Sequence, residues 1–362
     1  MQVSNDLELL RLMMEDSEKN LEIYHTSNYW NVYEKRLIPE LQKLGLKDFR
    51  RRKNSFLSKF GATDLSYSLG QINFLKSRIL HNRILKKIPL WSRFLSFQNT
   101  LLNKILPIHS SYTIADIDQL FYLYALMYGE KCGAKSINDF EASLFGNPEH
   151  IIKINKKVYT ISILEFFLSY AYNCKYINFD DIKIMVELGS GSGKQIEVIK
   201  KLHPDICILL FDIPPQLYVC EQYLQSVFPG DVVSYRDTKM MNSLPNDCKG
   251  KIFIFGNWKF PILEKVQIDL FWNAASFQEM EPEIVANYLR YINVQAKAAF
   301  LFEAMDGKEI ALKKGYHGVL EQTKFENYKK GLANFKLRDI SPNEFITKSE
   351  NDSYMYTFWE RI

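Results

Sequence analysis

Two apolar runs near the middle of the chain each end in residues that could bind a ligand. The first run, 182–188, contains Glu187 and leads into five small residues: Gly189, Ser190, Gly191, Ser192 and Gly193. The second run, 206–211, is followed by Asp212, nineteen residues after the last of these glycines. Glycines let a backbone turn sharply and approach a ligand closely, and a carboxylate can accept both hydroxyls of a ribose. The spacing therefore predicts a strand, a loop, a helix and a second strand that together bind a nucleoside.

The residues around this loop distinguish between nucleoside cofactors. A dinucleotide fingerprint reads Gly-x-Gly-x-x-Gly and seats a pyrophosphate on the helix N-terminus, whereas here the third glycine comes one residue early and Lys194 follows it. The carboxylate of Glu187 would repel a pyrophosphate and would attract an ammonium group. S-adenosylmethionine, which carries adenosine, an amino-acid tail and a sulfonium, is therefore the expected cofactor. A dinucleotide site, and a chance glycine-serine turn in another α/β protein, are the alternatives.

The composition is that of an ordinary globular protein. Of its 362 residues, 47% are hydrophobic and 24% are charged. No apolar stretch approaches the roughly 20 residues that span a bilayer, and the first residues lack the pattern of a signal peptide. The five cysteines form no Cys-x-x-Cys pair, so we expect reduced thiols in a cytoplasmic protein.

Positive charge is concentrated in one part of the chain. Residues 47–104 contain 13 lysines and arginines against two acids, a balance of +11, so the rest of the chain sums to −7 of the total of +4. The amphipathic part of this block, 72–106, could lie on an anionic membrane or bind a polyanionic glycan. The alternative is ordinary packing within a helical region.

The hydrophobic periodicity changes at the Gly-Asn-Pro turn at 146–148. Residues 1–150 have helical spacing and predict a helical region for acceptor binding, a lid or oligomerisation, whereas 151–362 alternate between strands and helices and predict a cofactor-binding domain with a parallel sheet. The predicted strands are 182–188, 206–212, 251–255, 268–273 and 298–303, with a terminal hairpin of 344–348 and 354–359. The predicted helices are 192–202, 215–227, 281–295 and 309–332.

Ligands of such sheets bind beyond the carboxyl ends of the strands. The cofactor contacts expected there, besides the loop and Asp212, are Ile213, Asn257, Trp258, Asn273 and Ala274. Asn257 could reach the edge of the adenine and Trp258 could stack on its face.

An alcohol acceptor needs a general base, because it is a poor nucleophile while protonated. Glu279 is the candidate, with Gln278 beside it to orient the acceptor; alternatively, Glu279 only begins the following helix. His317, between Gly315 and Gly318 in a stretch whose glycines suggest a loop over the site, is the histidine alternative; it could equally be an ordinary surface histidine. Glu303 and Asp306 are too weak a pair to predict a metal site.

Several segments resemble a bacterial family of sugar O-methyltransferases within the class I S-adenosylmethionine-dependent methyltransferases. The matching segments are Gly-Asn-Pro at 146–148, Val-Glu-Leu-Gly-Ser-Gly-Ser-Gly at 186–193, Phe-Asp-Ile-Pro-Pro at 211–215, Asn-Trp at 257–258 and Asn-Ala-Ala-Ser-Phe-Gln-Glu-Met at 273–280. The glycine loop is common to class I methyltransferases, and the 211–215 and 276–280 pieces are more particular.

This resemblance implies an α/β fold of the Rossmann-like class I type. Its sheet would have seven mostly parallel strands with a C-terminal antiparallel hairpin, preceded by the helical region. It also implies methyl transfer to a sugar hydroxyl of lipopolysaccharide, capsule or another glycan. Related small-molecule O-methyltransferases place a catalytic histidine near the position of Gln278, so the base is expected at Glu279 instead.

Two other functions remain open at this stage. The acceptor could be a phenol, a lipid or a peptide natural product, or the fold could be inactive and bind a membrane surface or a glycan through 47–104. If 47–104 binds a membrane surface, the cytoplasmic protein would lie at the inner face of that membrane. Nucleic acid is not expected as a partner, because no recognisable nucleic-acid module is present and Asn-Ala-Ala-Ser at 273–276 differs from the Pro-Pro-Tyr type of amino-methylating enzymes.

Overall fold

A computed structural model of the chain describes residues 1–67, 71, 72, 75, 113–343 and 354–362. The strand predicted over 344–348 lies outside these ranges. So does the basic amphipathic stretch 72–106, apart from Ile72 and Leu75.

The first part of the described chain is helical. Three helices form it: α1 (Leu7–Glu18), α2 (Asn28–Leu44) and α3 (Ile114–Cys132). The side chains of Asp6 and Ser27 accept backbone N–H groups at the starts of α1 and α2, and Thr113 forms a capping box with Asp116 at the start of α3. A short 3-10 helix, Phe56–Phe60, follows α2.

Alternating strands and helices make up the rest. The helices are α4 (Ile161–Cys174), α5 (Lys194–Leu202), α6 (Pro214–Val227), α7 (Tyr235–Thr238), α8 (Pro282–Gln295) and α9 (Phe325–Gly331). A two-stranded hairpin of β1 (Ile152–Ile154) and β2 (Lys157–Tyr159) precedes the main sheet. The strands of the main sheet are β3 (Ile184–Leu188), β4 (Cys207–Asp212), β5 (Val232–Val233), β6 (Ile252–Gly256), β7 (Ile268–Ala274), β8 (Ala296–Ala304), β9 (Phe335–Pro342) and β10 (Tyr354–Arg361).

The order of the main sheet is β5-β6-β4-β3-β7-β8-β10-β9. The strands β3 to β8 pair in parallel, and β10 is antiparallel to both β8 and β9. The sheet is mostly parallel with a C-terminal antiparallel hairpin, as the resemblance to class I methyltransferases implied, and with the two-residue β5 it has eight strands instead of the seven expected. The strand order reverses between β3 and β7, so a crevice for a ligand is expected beyond their carboxyl ends.

The five predicted parallel strands and the helices predicted over 192–202, 215–227 and 281–295 are confirmed, each within two residues at either end. The strands are easy to predict because the central strands of a parallel sheet are buried on both faces and therefore appear in the sequence as continuous apolar runs. The strand predicted over 354–359 is confirmed as part of β10, which forms an antiparallel C-terminal hairpin with β9 (Phe335–Pro342).

The helix predicted over 309–332 is wrong for most of its length, since only Phe325–Gly331 is helical. Residues 309–324 form a loop that is closed by a bridge between Ile310 and Val319. Gly315 and Gly318 have φ angles of 86° and 114°, which a right-handed helix excludes.

A buried cluster of charges fixes the segment after α2 against the helix that follows the glycine loop. Arg50 Nε lies 2.6 Å and Lys194 Nζ 3.2 Å from the same Oδ2 atom of Asp64, and all three side chains are at most 1% exposed. Burial alone would raise the pKa of Asp64, but the charges of Arg50 and Lys194 hold it well below its usual range. Removal of Asp64 would leave two buried cations without their shared anion, so this carboxylate holds the two parts of the chain together.

Candidate functional site

A cavity of about 380 Å³ lies beyond the carboxyl ends of β3, β4 and β7. The predicted site residues that line it are Glu187, Gly189, Ser190, Gly191, Ser192, Asp212, Ala274 and Glu279. The predicted site residues outside its lining are Gly193, Ile213, Asn257, Trp258, Asn273, Gln278 and His317. The structure thus brings the glycine loop, both carboxylates that flank it and the candidate base to one space.

The glycine loop has a backbone that other residues could not adopt without strain. Gly189, Gly191 and Gly193 have φ angles of 83°, 55° and 80°. A Cβ on Gly189 would lie 2.5 Å from Ser276 Oγ, and one on Gly193 would lie 2.9 Å from Leu224. The loop therefore needs glycine for the close approach of Ser276, after β7, and of helix α6.

Glu187 is a buried carboxyl group at the base of this loop. The residue is 2% exposed. Its Oε2 atom has no hydrogen-bond partner among the residues that the structure describes. Burial, followed by the nearby charge of Asp212, raises the pKa of Glu187 well above its usual value. A cation in the cavity would favour the charged form of this carboxyl.

Asp212 is held in a fixed orientation at the end of β4. It accepts hydrogen bonds from Gly191 N at 2.9 Å and Ser190 Oγ at 3.2 Å through Oδ2, and from Ile213 N at 2.8 Å through Oδ1. Burial raises its pKa to about 7, against the opposing effect of these hydrogen bonds. Ile213 itself is outside the cavity lining and packs against the cluster formed by Tyr29, Trp30, Tyr33 and Val319.

Asn257 follows β6 and is buried. Its Nδ2 donates to the carbonyl of Tyr24 at 2.7 Å and to the hydroxyl of Tyr288 at 2.9 Å. Its Oδ1 is buried and has no partner among the described residues. A hydrogen-bond acceptor with a fixed direction is therefore available near the carboxyl end of β6.

Trp258 does not take the stacking position expected from the sequence. The chain folds its ring back over Gly256, where a Cβ would lie 2.4 Å from the indole. The ring also packs edge-on against Tyr235 at 6.1 Å between centroids. Glycine at 256 makes this return possible, and the indole is used in packing rather than in the cavity.

Asn273, next to the last residue of β7, has a structural role. Asn273 Nδ2 donates to the carbonyl of Leu188 at 2.7 Å, and its Oδ1 accepts from Phe277 N at 3.2 Å. Asn273 therefore ties the ends of β3 and β7 together. Ala274, Ala275 and Ser276, which follow it directly, reach the cavity lining.

Glu279 lies in the cavity wall, and its Oε2 accepts a hydrogen bond of 2.9 Å from Trp30 Nε1. Burial raises its pKa to about 8, with the charge of Lys308 and the Trp30 hydrogen bond acting in the opposite direction. A carboxylate with a pKa near the working pH is suited to general base catalysis.

The two other candidates for catalysis lie elsewhere. Gln278 is fully buried; its Nε2 donates to the hydroxyl of Tyr354 at 2.7 Å and its Oε1 accepts from Ala304 N. These contacts position the loop after β7 instead of an acceptor. His317 is 48% exposed at the side chain and contacts the hydroxyl of Tyr33 at 2.6 Å through Nε2 and Glu309 at 3.0 Å through Nδ1. It lies on the outer side of the aromatic cluster because the segment expected to be helical forms a loop.

The sequence does not predict that several other residues belong to the cavity wall. Tyr29, Trp30, Lys59 and Phe60 come from the helical N-terminal part of the chain. Their spacing is that of any amphipathic helix and turn, so no sequence signal distinguishes them from packing residues. From the other side the wall is completed by Phe166, Phe302, Lys308 and Tyr354.

Glu303, in β8, holds the segment that follows β7 in place. It accepts backbone hydrogen bonds from Gln278 at 3.1 Å and Ser276 at 3.4 Å. No group of three or more metal-binding side chains is found among the described residues.

None of the helices that the structure describes is long and apolar enough to cross a membrane.

No family model and no curated protein matches the sequence. Similar solved structures include mitomycin 7-O-methyltransferase, with 11% identity over 54% of this chain and 57% of that chain and a TM-score of 0.35. Magnesium protoporphyrin IX methyltransferase from Synechocystis, with bound S-adenosylhomocysteine, has 12% identity over 56% of this chain and 84% of that chain and a TM-score of 0.38.

An O-methyltransferase of neocarzinostatin biosynthesis, in complex with S-adenosylhomocysteine and 1,4-dihydroxy-2-naphthoic acid, is also similar. It has 14% identity over 56% of each chain and a TM-score of 0.36. The chain spans less than two thirds of the length of the mitomycin and neocarzinostatin enzymes.

Proposed function

We propose that the protein is an S-adenosylmethionine-dependent methyltransferase that acts on a hydroxyl group. The observation that carries the proposal is the buried carboxyl of Glu187 beside the glycine loop, with an oxygen that no described residue satisfies. Buried polar groups are nearly always hydrogen-bonded, and a buried charge needs a partner of opposite charge. An amino-acid ammonium group would supply both.

The other polar groups around the loop fit the remaining parts of this cofactor. Asp212 would accept the ribose hydroxyls, since its carboxylate lines the cavity and its direction is set by Ser190 and Gly191. Asn257 lies outside the cavity lining, but its buried Oδ1, without a partner among the described residues, would accept a hydrogen bond from the exocyclic amino group of adenine. A pyrophosphate would instead face two buried acids, so a dinucleotide fits these residues poorly.

The cofactor, when bound, supplies an electrophilic methyl group on a sulfonium. The chain supplies the base and the enclosure. Glu279 takes the proton from the acceptor hydroxyl, and Trp30 holds its carboxylate in the cavity wall. The aromatic side chains of Tyr29, Phe60 and Phe302 exclude water from the same space, and positioning lowers much of the barrier to such a displacement.

A sugar hydroxyl is the acceptor we favour. The segments at 211–215 and 276–280 resemble sugar O-methyltransferases, and the cavity wall offers aromatic faces on which a sugar ring can pack. In this proposal the N-terminal region binds the acceptor, because Tyr29, Trp30 and Phe60 belong to it. The acceptor would be part of a bacterial surface glycan or its precursor.

A phenolic acceptor is the second candidate. The aromatic lining that would hold a sugar, in particular Trp30, Phe166 and Phe302, would equally stack on an aromatic ring. Glu279 would serve a phenol less critically, since a phenol has a pKa near 10 and ionises more readily than an alcohol.

Transfer of a labelled methyl group decides between these acceptors. Purified protein is incubated with methyl-labelled cofactor and with sugar nucleotides, lipid-linked glycan precursors and simple phenols. We expect label in a sugar, with transfer by Glu279→Gln slower by about 10²-fold or more and the exposed Glu283→Gln active as the matched control. Label in phenols alone would establish the second candidate. Binding of the cofactor without transfer to any acceptor would indicate an inactive protein of this fold.

A further inference from the structure

The loop 309–320, between β8 and α9, exposes several large apolar side chains. Leu312 is 92% exposed, Ile310 61%, Tyr316 50% and Leu320 43%. Single exposed apolar residues are ordinary on protein surfaces. A concentration of four within one loop marks an interaction surface.

This loop is held in a defined shape. Ala311 N donates to the carbonyl of Val319 at 2.8 Å, and both side chains are buried at its base. The side chain of Asn28, in α2, donates to the carbonyl of Tyr316 at 2.9 Å and accepts from Gly315 N at 2.7 Å. The exposed apolar side chains therefore project from an anchored loop next to the cavity wall.

The tip of the loop is also basic. Lys313 and Lys314 lie among the apolar residues, and the sequence has no acid between Ile310 and Leu320. Glu309, just before this stretch, is 3.0 Å from His317 Nδ1. Lysines beside exposed aliphatic and aromatic side chains are the combination that binds the interface of an anionic bilayer, with the apolar groups below the headgroups and the cations among them.

We propose that the loop 309–320 docks the protein on an anionic lipid surface. Leu312, Ile310 and Tyr316 enter the interface, and Lys313 and Lys314 contact the headgroups. A second copy of the chain is a poorer occupant, since a two-fold contact would bring the same lysines face to face.

One consequence rests on the proposed function. Lys308, directly before the loop, lines the cavity, so a protein docked in this way presents its acceptor side to the membrane. The acceptor would then be a glycan linked to a lipid carrier, rather than a free sugar nucleotide.

Co-sedimentation of the full-length chain with vesicles tests the docking without cofactor or acceptor. We expect binding to phosphatidylcholine vesicles that contain phosphatidylglycerol, weaker binding at high salt, and little binding to phosphatidylcholine alone. Leu312→Asp and the double variant Lys313→Glu/Lys314→Glu should each weaken binding by about tenfold or more. The double variant Lys329→Glu/Lys330→Glu, with the same charge change on exposed positions of α9, should bind nearly as the wild type does.

Two further readouts separate insertion from other contacts. Tyr316→Trp should show a blue shift of its emission with the anionic vesicles only. Thermal unfolding followed by circular dichroism should give the same midpoint for the loop variants as for the wild type, which shows that they are folded. Absence of vesicle binding, equal loss in the α9 control, or a concentration-dependent dimer that Leu312→Asp abolishes would overturn the proposal. Since vesicle binding needs no catalysis, these outcomes are distinct from a failure of the proposed function.

Discussion

Trp30 Nε1 donates a hydrogen bond of 2.9 Å to Glu279 Oε2, joining two residues 249 positions apart in the sequence. Trp30 lies in helix α2 of the N-terminal region, and Glu279 follows strand β7. The hydrogen bond places the N-terminal region directly against the candidate base. The helical region therefore forms part of the cavity wall, and its Trp30 orients the carboxyl group of Glu279.

Replacement of Trp30 by Phe should slow methyl transfer while leaving the cofactor site intact. The Trp30 hydrogen bond lowers the pKa of Glu279, against the larger effect of burial. Its loss should move the rising limb of the pH profile to higher pH by about one pH unit, since a hydrogen bond to a charged group contributes roughly 1.5–3 kcal/mol. The measurement is kcat/KM against pH for both proteins. A profile that drops in height without moving would show that Trp30 does not act through Glu279.

Glu279→Gln should lower kcat by about 10²- to 10⁴-fold, the usual contribution of a general base. In the wild type, the pKa of about 8 means that the active carboxylate form increases as the pH rises, so kcat/KM should rise up to about pH 8 and then level off. The variant should lose this limb and keep its affinity for S-adenosylhomocysteine. Glu283→Gln, an exposed substitution in the next helix, should retain the wild-type profile. An unchanged pH limb in Glu279→Gln would assign the base elsewhere.

Gly189→Ala should destabilise the fold and abolish cofactor binding. The residue has a φ of 83°, and the added methyl group would lie 2.5 Å from Ser276 Oγ. Gly230→Ala separates backbone strain from the steric clash. Gly230 has a φ of 87°, but no atom lies within 4 Å of the added methyl group. We expect Gly230→Ala to lose about 1–2 kcal/mol of unfolding free energy from backbone strain alone, with a larger loss for Gly189→Ala. Equal losses in denaturant titrations would mean that the close approach at Ser276 is unimportant.

Asp64→Asn should be among the most destabilising polar substitutions in the chain. It leaves Arg50 and Lys194 buried without their shared anion, for which a loss of about 3–5 kcal/mol is expected. The exposed pair of Asp205 and Lys249, at 3.0 Å with side chains 75% and 67% exposed, supplies the control. Asp205→Asn should change the unfolding free energy by less than about 1 kcal/mol. Similar effects of the two substitutions would show that the buried cluster does not lock the N-terminal segment in place.

The part of the site that could be predicted from the sequence is local in the chain. Glu187, the glycine loop and Asp212 belong to one strand-loop-helix-strand unit, whose backbone pattern brings them to the same edge of the sheet. Continuous apolar runs identify such buried parallel strands well.

The remainder depends on contacts that the spacing of residues does not encode. Trp30 and Phe60 reach the cavity only because the N-terminal region packs over it, and Arg50 and Asp64 hold that region through Lys194. Most of the helix predicted over 309–332 is instead a loop, whose shape is set by two glycines with positive φ. Trp258 was expected in the site, and its ring packs instead over Gly256.

Calorimetric titration with S-adenosylhomocysteine tests the central proposal most directly. The wild type should bind it, and Glu187→Gln should weaken binding by about tenfold or more, since it removes the charge that meets the ammonium group. Asp212→Asn should weaken it similarly, while Glu283→Gln should bind as the wild type does. If the wild type gives no heat of binding, or if both carboxyl substitutions leave the affinity unchanged, the cavity is not a site for this cofactor.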